Sequence, residues 1–266
     1  MSSALFRPMS TGEILDVAFG LYRRHLATLV TLSVLLTGLP LLIFTAVSGY
    51  LVVTSPENVF LLLLVFMGLM VGYVVLAQLA LGASMVVVSQ GYLGRSMSAG
   101  PAIRETMSRL GTLIAAGLLV GLVSGLGMFL LIVPGVILFC GLSLTTPVVM
   151  LESPGGAFTA MGRSWNLTQG YRWRMFLLIL VGVVLSIVVI MGVNIILGLA
   201  FGGLTSFQPG VTPRYGVLLA QQGVQLLANM LIAPLPHCIL TVAYYDLRIR
   251  KEAFDLEMLA STLQPA

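Results

Sequence analysis

Apolar and polar positions alternate along this chain in long blocks, and not with the short period of a soluble amphipathic helix. About 20 consecutive apolar residues suffice for a helix to cross a bilayer. Six blocks of at least about that length occur, and none carries Asp, Glu, Lys or Arg well inside its apolar part. The pattern predicts an all-α polytopic membrane protein with transmembrane helices at about 28–53, 59–89, 111–131, 132–150, 175–201 and 216–246.

The third and fourth of these helices come from one continuous apolar run, Leu113–Val149. That run is too long for a single span. Pro134 and Gly135 interrupt it, and a proline is well tolerated in the first turn of a helix, where its missing N–H would be unpaired anyway. We therefore expect a tight hairpin near Leu131–Pro134.

The basic residues test this division. With six spans, twelve of the thirteen Lys and Arg residues fall on one side, three in each of four segments, and Arg214 alone falls on the other. If the third and fourth spans were one, the last two groups of basic residues would lie on the outer face of the membrane. Because basic segments stay on the cytoplasmic side, both termini are predicted to be cytoplasmic, in a multi-pass protein of a bacterial inner membrane.

Three short polar segments on that side have helical periodicity: Ser10–His25, Pro101–Leu110 and Ala157–Thr168. Ser10 and Glu13 have the spacing of a capping box. We predict that all three are amphipathic helices lying flat at the lipid headgroups. The apolar face of each is expected to contain, in turn, Ile14, Val17, Ala18 and Leu21; Ile103, Met107 and Leu110; and Phe158, Met161 and Trp165.

An interfacial helix followed by two spans thus occurs three times. The units cover about 10–94, 97–150 and 153–247 and share little sequence identity. One hypothesis is three related units around a pseudo-threefold axis. The alternative is a series of helical hairpins without common ancestry.

Composition agrees with a membrane protein. The mean hydropathy is +1.06 and 8% of residues are charged, against about 25% in soluble domains. We therefore treat 1–266 as a single membrane domain, with a leader at 1–27, a bundle at 28–247 and a cytoplasmic tail at 248–266. The leader contains charges before the first apolar run, so no cleavable signal peptide is expected. Both cysteines lie in apolar runs, and we expect free thiols.

Small residues in the third span suggest helix packing. Gly117, Gly121 and Gly125 recur every four residues, and such ridges let membrane helices approach closely. We expect a close helix contact there, although glycine is common in membrane helices for other reasons.

The sixth span has the most polar intramembrane face. Amides recur at four-residue intervals with another beside them, and a histidine follows two prolines: Gln221, Gln225, Asn229, Gln222 and His237. Pro234 and Pro236 should kink the helix and free backbone carbonyls. The face could form a polar cavity with a titrating His237. We favour amide hydrogen bonds between helices, because intramembrane carboxylates are missing.

Catalytic signatures are missing from the sequence. It has two histidines, no metal-ligand cluster, no phosphate-binding glycine loop and no nucleophile elbow. We expect no enzyme activity, no cofactor and no metal. The net charge of +4 does not indicate nucleic-acid binding, because topology accounts for the arginines.

Two acidic residues, Glu152 and Asp246, are predicted at the cytoplasmic ends of spans four and six. Five arginines lie at similar depth: Arg163, Arg172, Arg174, Arg248 and Arg250. We expect them to pair with the carboxylates, which would tie the short helices to the bundle, to contact anionic lipid headgroups, or to do both.

Several segments resemble a known family. Phe6–Asp16, Leu21–His25, Pro147–Glu152, Gly162–Thr168 and Tyr244–Asp255 are similar to the bacterial membrane domain named after glycerophosphoryl diester phosphodiesterases. In some relatives this domain is fused to a catalytic barrel that carries the metal-binding acids and the histidines. The chain ends about 20 residues after its last span, so that barrel is expected to be missing.

The resemblance therefore implies no activity, and two classes of function remain. The first is a non-catalytic scaffold, accessory subunit or regulator of a membrane assembly, with membrane lipids and a membrane-protein partner or a second copy as its contacts. The second is a transporter or binder of lipid or a small molecule that uses the polar face of the sixth span.

Overall fold

The structure, a computed structural model, describes residues 7–54, 58–201 and 215–252; within these ranges the side chains of 49, 52–54, 200–201 and 215–222 are left undescribed. Regular structure in the described ranges is entirely helical, and a π-helical turn, Val34–Gly38, joins the second and third helices. The helices are α1 (Thr11–Arg24), α2 (Leu26–Ser33), α3 (Leu39–Thr54), α4 (Val59–Tyr92), α5 (Ala99–Met107), α6 (Leu110–Leu130), α7 (Ile132–Leu142), α8 (Thr145–Glu152), α9 (Ala157–Thr168), α10 (Arg172–Phe201), α11 (Tyr215–Ile232) and α12 (Pro234–Glu252).

Six helical stretches of the described chain are long and apolar enough to cross a membrane, which confirms the predicted number and makes this a multi-pass membrane protein. They are Leu26–Ser48, Val59–Tyr92, Leu110–Leu130, Ile132–Glu152, Arg172–Leu199 and Gly223–Glu252. The third and fourth are separate, as expected: Leu131 is extended, with φ −155° and ψ 131°.

Two of the spans are broken. The sixth breaks at Ala233, directly before the prolines that predicted a kink. The fourth breaks at Ser143–Leu144, which was not predicted. Pro147, the third residue of α8, has the same place after the break as Pro236 has in α12, and its missing N–H leaves a carbonyl of the preceding turn without a helical partner.

A glycine contact closes the hairpin between α6 and α7. A Cβ atom on Gly135 would lie 2.4 Å from the backbone nitrogen of Met128, and one on Gly127 would lie 3.1 Å from the Cα of Gly135. The two backbones therefore touch where the chain turns.

Within the described part of the chain, the predicted glycine ridge makes a close contact at one residue. A Cβ on Gly117 would meet the side chain of Gln78, whereas a Cβ on Gly121 or Gly125 would have no described atom of another element within 4 Å. Residues four apart advance by about 40° around a helix, so the ridge turns away from the buried face of α6, which contains Leu113, Ala116 and Ser124.

The short helices α1, α5 and α9 occupy the three segments predicted for them. The capping box of α1 is present, with Glu13 N donating to Ser10 Oγ and Ser10 N donating to the Glu13 carboxylate. The predicted face of α1 packs inward against α12: Ile14, Ala18 and Leu21 are buried.

The faces predicted for α5 and α9 pack only in part. Met107 and Phe158 are 60% and 75% exposed, whereas Ile103 and Leu110 pack against the core and the Trp165 ring contacts Gly141. The fully buried positions of the two helices are mostly small residues, which let the helices approach the bundle closely: Ala102, Thr106, Ala160, Ser164, Leu167 and Thr168. An interfacial position for these helices stays a prediction.

The buried core lies towards one end of the bundle. In α4, whose 34 residues span about 51 Å at 1.5 Å each, burial is concentrated in Leu79–Tyr92, and most of Val59–Val74 is exposed. Most of α8 and of α12 is buried near the same end. The order of one short helix and two spans does occur three times, but a pseudo-threefold axis stays a prediction.

Candidate functional site: the ion-pair cluster

The end of the bundle that contains the core also carries the charged side chains, and we call it the charged end. Here Asp246 of α12 is fully buried. Its carboxylate accepts hydrogen bonds from Met9 N at 2.7 Å and Arg250 Nε at 2.9 Å, and Arg174 Nη2 lies 3.3 Å away. Each arginine also donates to the backbone carbonyl of Met9. The leader is thus held between spans five and six by a paired, buried charge.

Glu152, the last residue of α8, organises a second group of charges. Arg163 of α9 donates to it from Nε at 2.8 Å and Nη2 at 3.1 Å, the bidentate geometry of a strong pair. Tyr244 OH donates to the same carboxylate at 2.8 Å, and Arg248 Nε is 3.8 Å away. Glu252 also pairs with Arg163 and Arg248.

These two carboxylates stabilise the charged form of Arg163. Hydrogen bonds to Glu252, and then to Glu152, raise the pKa of the Arg163 guanidinium above its usual value despite partial burial. Because α9 carries Arg163 and the carboxylates belong to α8 and α12, the pairs join three elements.

Helix α9 also supplies hydroxyls to the break in span four. The Gly141 carbonyl accepts from Ser164 Oγ at 2.9 Å and Thr168 Oγ1 at 3.0 Å, while Leu144 N donates to Ser164 Oγ at 3.2 Å. A Cβ on Gly141 would lie 2.5 Å from the Trp165 ring. Backbone groups freed inside a membrane need such partners, so α9 stabilises the broken span.

A tyrosine and an arginine extend these contacts to spans two and three. Tyr245 stacks on Tyr92 with ring centroids 4.7 Å apart, and its hydroxyl lies 2.6 Å from Ser89 Oγ. Arg109, directly before α6, donates to the carbonyl of Met150. These groups of contacts are linked through α12, which carries Tyr244, Tyr245 and Asp246.

The leader helix has two further polar contacts. Arg7 pairs with Glu13, whose pKa is lowered to about 2, first by hydrogen bonds from Ser10 and then by Arg7. Tyr22 OH donates at 2.5 Å to the carbonyl of Leu231, at the break in span six, and burial raises the pKa of this phenol.

His25 lies between α1 and α2. Its ring packs on α4, where a Cβ at Gly91 would lie 2.5 Å from Nε2. Desolvation, and then the charge of Arg24, lower the pKa of this imidazole. Nε2 is buried and has no hydrogen-bond partner among the described residues.

The structure brings together six of the seven charged residues singled out from the sequence. Arg172 differs from the others: its guanidinium carbon lies 3.7 Å from the centroid of the Trp165 ring, and no described carboxylate is within 4 Å of it. Three partners in the cluster were not predicted from the sequence: the backbone of Met9, the hydroxyl of Tyr244 and the carboxylate of Glu252. For Glu252 a signal existed, because it follows Arg248 by four residues, the spacing of a helical ion pair.

The polar face of span six is only partly described. Asn229 Nδ2 donates to the backbone carbonyl of Gln225 in its own helix at 2.9 Å. Gln225 Oε1 and His237 Nδ1 are buried and have no hydrogen-bond partner in the described ranges. Gln221 and Gln222 belong to α11, but their side chains lie outside the described part of the structure.

Within the described ranges, no three His, Cys, Asp or Glu side chains gather in a way that could hold a metal ion. Cys140 and Cys238 are both buried free thiols. The arrangement supplies paired charges and hydrogen bonds between helices.

Comparison with known proteins gives one match. A family model described as a domain of unknown function (DUF7847) matches residues 59–247. No curated protein and no solved structure matches the chain. These findings do not tie it to the glycerophosphoryl diester phosphodiesterase family.

Proposed function

The chain belongs to the DUF7847 family, and we propose that it is a non-catalytic membrane protein that acts as a scaffold, accessory subunit or regulator of a membrane assembly. The observation that carries this proposal is the ion-pair cluster. Asp246 and Glu152, with their partners, join the leader, α8, α9, α10 and α12. A layer connected in this way presents a rigid surface, which suits docking of another protein without a costly rearrangement.

The orientation is part of the same proposal. With twelve of thirteen basic residues on one side, the charged end would face the cytoplasm of a bacterial cell. The exposed apolar side chains of Met107 and Phe158 would then rest α5 and α9 on the lipid interface. The resemblance to the phosphodiesterase membrane domain stays a hypothesis.

Extraction of the full chain into lipid particles with an amphiphilic copolymer, followed by native mass spectrometry, tests the scaffold. We expect a second copy or a membrane protein to accompany the chain at constant stoichiometry. Glu152→Gln, which weakens the contacts of Arg163 and Tyr244, should reduce that association, whereas Arg95→Gln at an exposed position should not. A chain that is monomeric and unaccompanied in native lipid would contradict the proposal.

A second candidate is transport or binding of a small molecule along the polar face of span six. Its support is that Gln225 Oε1 and His237 Nδ1, on either side of the break at Ala233, are buried and have no hydrogen-bond partner among the described residues. In that case Gln225→Leu should leave assembly intact and abolish uptake or binding. If the amides hold helices together, the same variant should weaken the fold.

A further inference from the structure

A groove on the outside of the bundle separates α7 from the first turns of α10. Its volume is about 390 Å³. Val133, Val136 and Ile137 form one wall, and Trp173 and Phe176 form the other. Arg172 is the one charged side chain among the residues that line it. An apolar groove with a cation among its lining residues is suited to bind an amphiphile.

Arg172 is exceptional among the arginines within the described spans. Arg174 and Arg250 pair with Asp246, and Arg248 pairs with Glu152 and Glu252. Arg172 has no described carboxylate within 4 Å, and the residue is only partly buried. Its Nε is buried and has no hydrogen-bond partner among the described residues, so an anion from outside the chain would be bound by the terminal nitrogens of the guanidinium.

The position of this guanidinium is set by neighbouring helices. It lies over the Trp165 ring at 3.7 Å, a cation–π contact. Trp165 in turn packs against Gly141, where there is no room for a Cβ. The cation is held in place before any ligand arrives, which reduces the entropic cost of binding.

We propose that this groove binds one anionic phospholipid of the surrounding bilayer, with an acyl chain between α7 and α10 and the phosphate at Arg172. This inference goes beyond the scaffold role and requires only that the chain spans a bilayer. Trp173, 73% exposed beside Arg172, is the residue type found where membrane helices meet the headgroups.

A second copy of the chain fits the groove less well. The acidic residues in the described spans are Glu152, Asp246 and Glu252, and each is already paired within its own chain. A copy that packed a span into the groove would bring no carboxylate to Arg172, whereas an anionic lipid supplies both the charge and the apolar chain.

The chain contains two tryptophans, Trp165 and Trp173, and both lie beside Arg172. The test is to reconstitute the full chain in phosphatidylcholine vesicles that contain a small fraction of phosphatidylglycerol brominated on its acyl chains. The measurement is the quenching of tryptophan fluorescence by the bromine atoms. Brominated phosphatidylglycerol should associate about fivefold more strongly than brominated phosphatidylcholine, the factor expected for one arginine near an anionic headgroup. Equal quenching by the two lipids would overturn the proposal.

Variants separate the two parts of the site. Arg172→Gln should bring the two lipids to equal quenching, while the matched control Arg104→Gln, at an exposed arginine of α5, should leave the preference unchanged. Val133→Phe, at a position 70% exposed, should fill the groove and reduce quenching by both lipids. The Val133→Phe variant also tests lipid binding in the groove if Arg172→Gln fails to fold.

Three results would count against the site. An equal loss of preference in the Arg104 and Arg172 variants would indicate surface charge alone. Quenching unaffected by Val133→Phe would remove the acyl chain from the groove. Quenching that declines as the ratio of protein to lipid rises would assign the groove to a second copy.

Discussion

At the scale of single residues, Asp246 is the charged residue of the described ranges that is fully buried. Its side chain is 1% exposed and contacts Arg174, Arg250 and the backbone of Met9. Removing one partner of a buried ion pair leaves the other charges desolvated. We expect Asp246→Ala to lower the free energy of unfolding by about 3–5 kcal/mol, measured by equilibrium unfolding in mixed micelles.

A matched control comes from the weaker pair of Glu105 and Arg109. Their charged atoms are 4.0 Å apart, and the side chains are 35% and 29% exposed. Because pairs of this kind contribute about 0–1 kcal/mol, Glu105→Ala should have little effect. Similar losses in the two variants would show that the Asp246 contacts are not specifically stabilising.

His25 should make stability depend on pH. Because its pKa is lowered in the folded protein, the unfolded chain binds the proton more readily. The free energy of unfolding has its full value when the pH is above about 6.5, the pKa of a histidine in the unfolded chain. It decreases as the pH falls from there towards the lower pKa that His25 has in the folded protein. Thermal unfolding of the native chain should therefore shift to lower temperature between pH 7.5 and 5.5.

Comparison with a His25→Gln variant isolates this effect, since His237 remains in both proteins. The difference between their melting temperatures should change across that interval. If the two proteins respond equally to acidification, His25 is not the group responsible.

At the scale of elements, an experiment can distinguish a glycine that is needed for close contact between two helices from a glycine that only belongs to a sequence repeat. Gly135 touches the backbone of α6, whereas Gly125 has open space around it. Gly135→Ala should therefore destabilise the hairpin between α6 and α7, because a Cβ 2.4 Å from Met128 N forces the helices apart. The expected loss is about 1–3 kcal/mol, measured in the same micelle assay.

Gly125→Ala provides the contrast. Alanine is favoured over glycine inside a helix by about 0.5–1 kcal/mol, so this substitution should be neutral or slightly stabilising. If Gly125→Ala weakened the protein or its self-association, the glycine ridge would contact another molecule at that position.

The breaks in the helices show where sequence patterns stop being informative. Pro234 and Pro236 predicted the break in span six, because each proline removes a backbone donor from the helix. The break in span four depends on hydroxyls of α9, some 20 residues away in sequence. A local apolar pattern does not encode which distant Ser or Thr side chain will satisfy a freed carbonyl.

At the scale of the whole molecule, the number of spans could be predicted because lipid imposes a minimum apolar length on each. Which face of α5 or α9 packs could be predicted only in part, because small residues outside the apolar pattern are also buried: Ala102 and Ser164 pack inward, whereas Phe158 is exposed. In the charge cluster, the residue types and their positions at the ends of the helices were readable from the sequence. The pairing depended on tertiary positions, such as that of Met9.

The orientation of the molecule is open to a direct measurement. Ser98 lies at the N-cap of α5, near the charged end, and Leu131 lies in the exposed turn between α6 and α7. If basic segments stay in the cytoplasm, a membrane-impermeant maleimide should label Leu131→Cys in intact cells and Ser98→Cys only after permeabilisation. The native thiols of Cys140 and Cys238 are buried and should give little background, which the unsubstituted chain checks. Labelling of Ser98→Cys in intact cells would place the arginine cluster outside, and the proposed cytoplasmic scaffold would have to be abandoned, while the lipid groove would simply belong to the other leaflet.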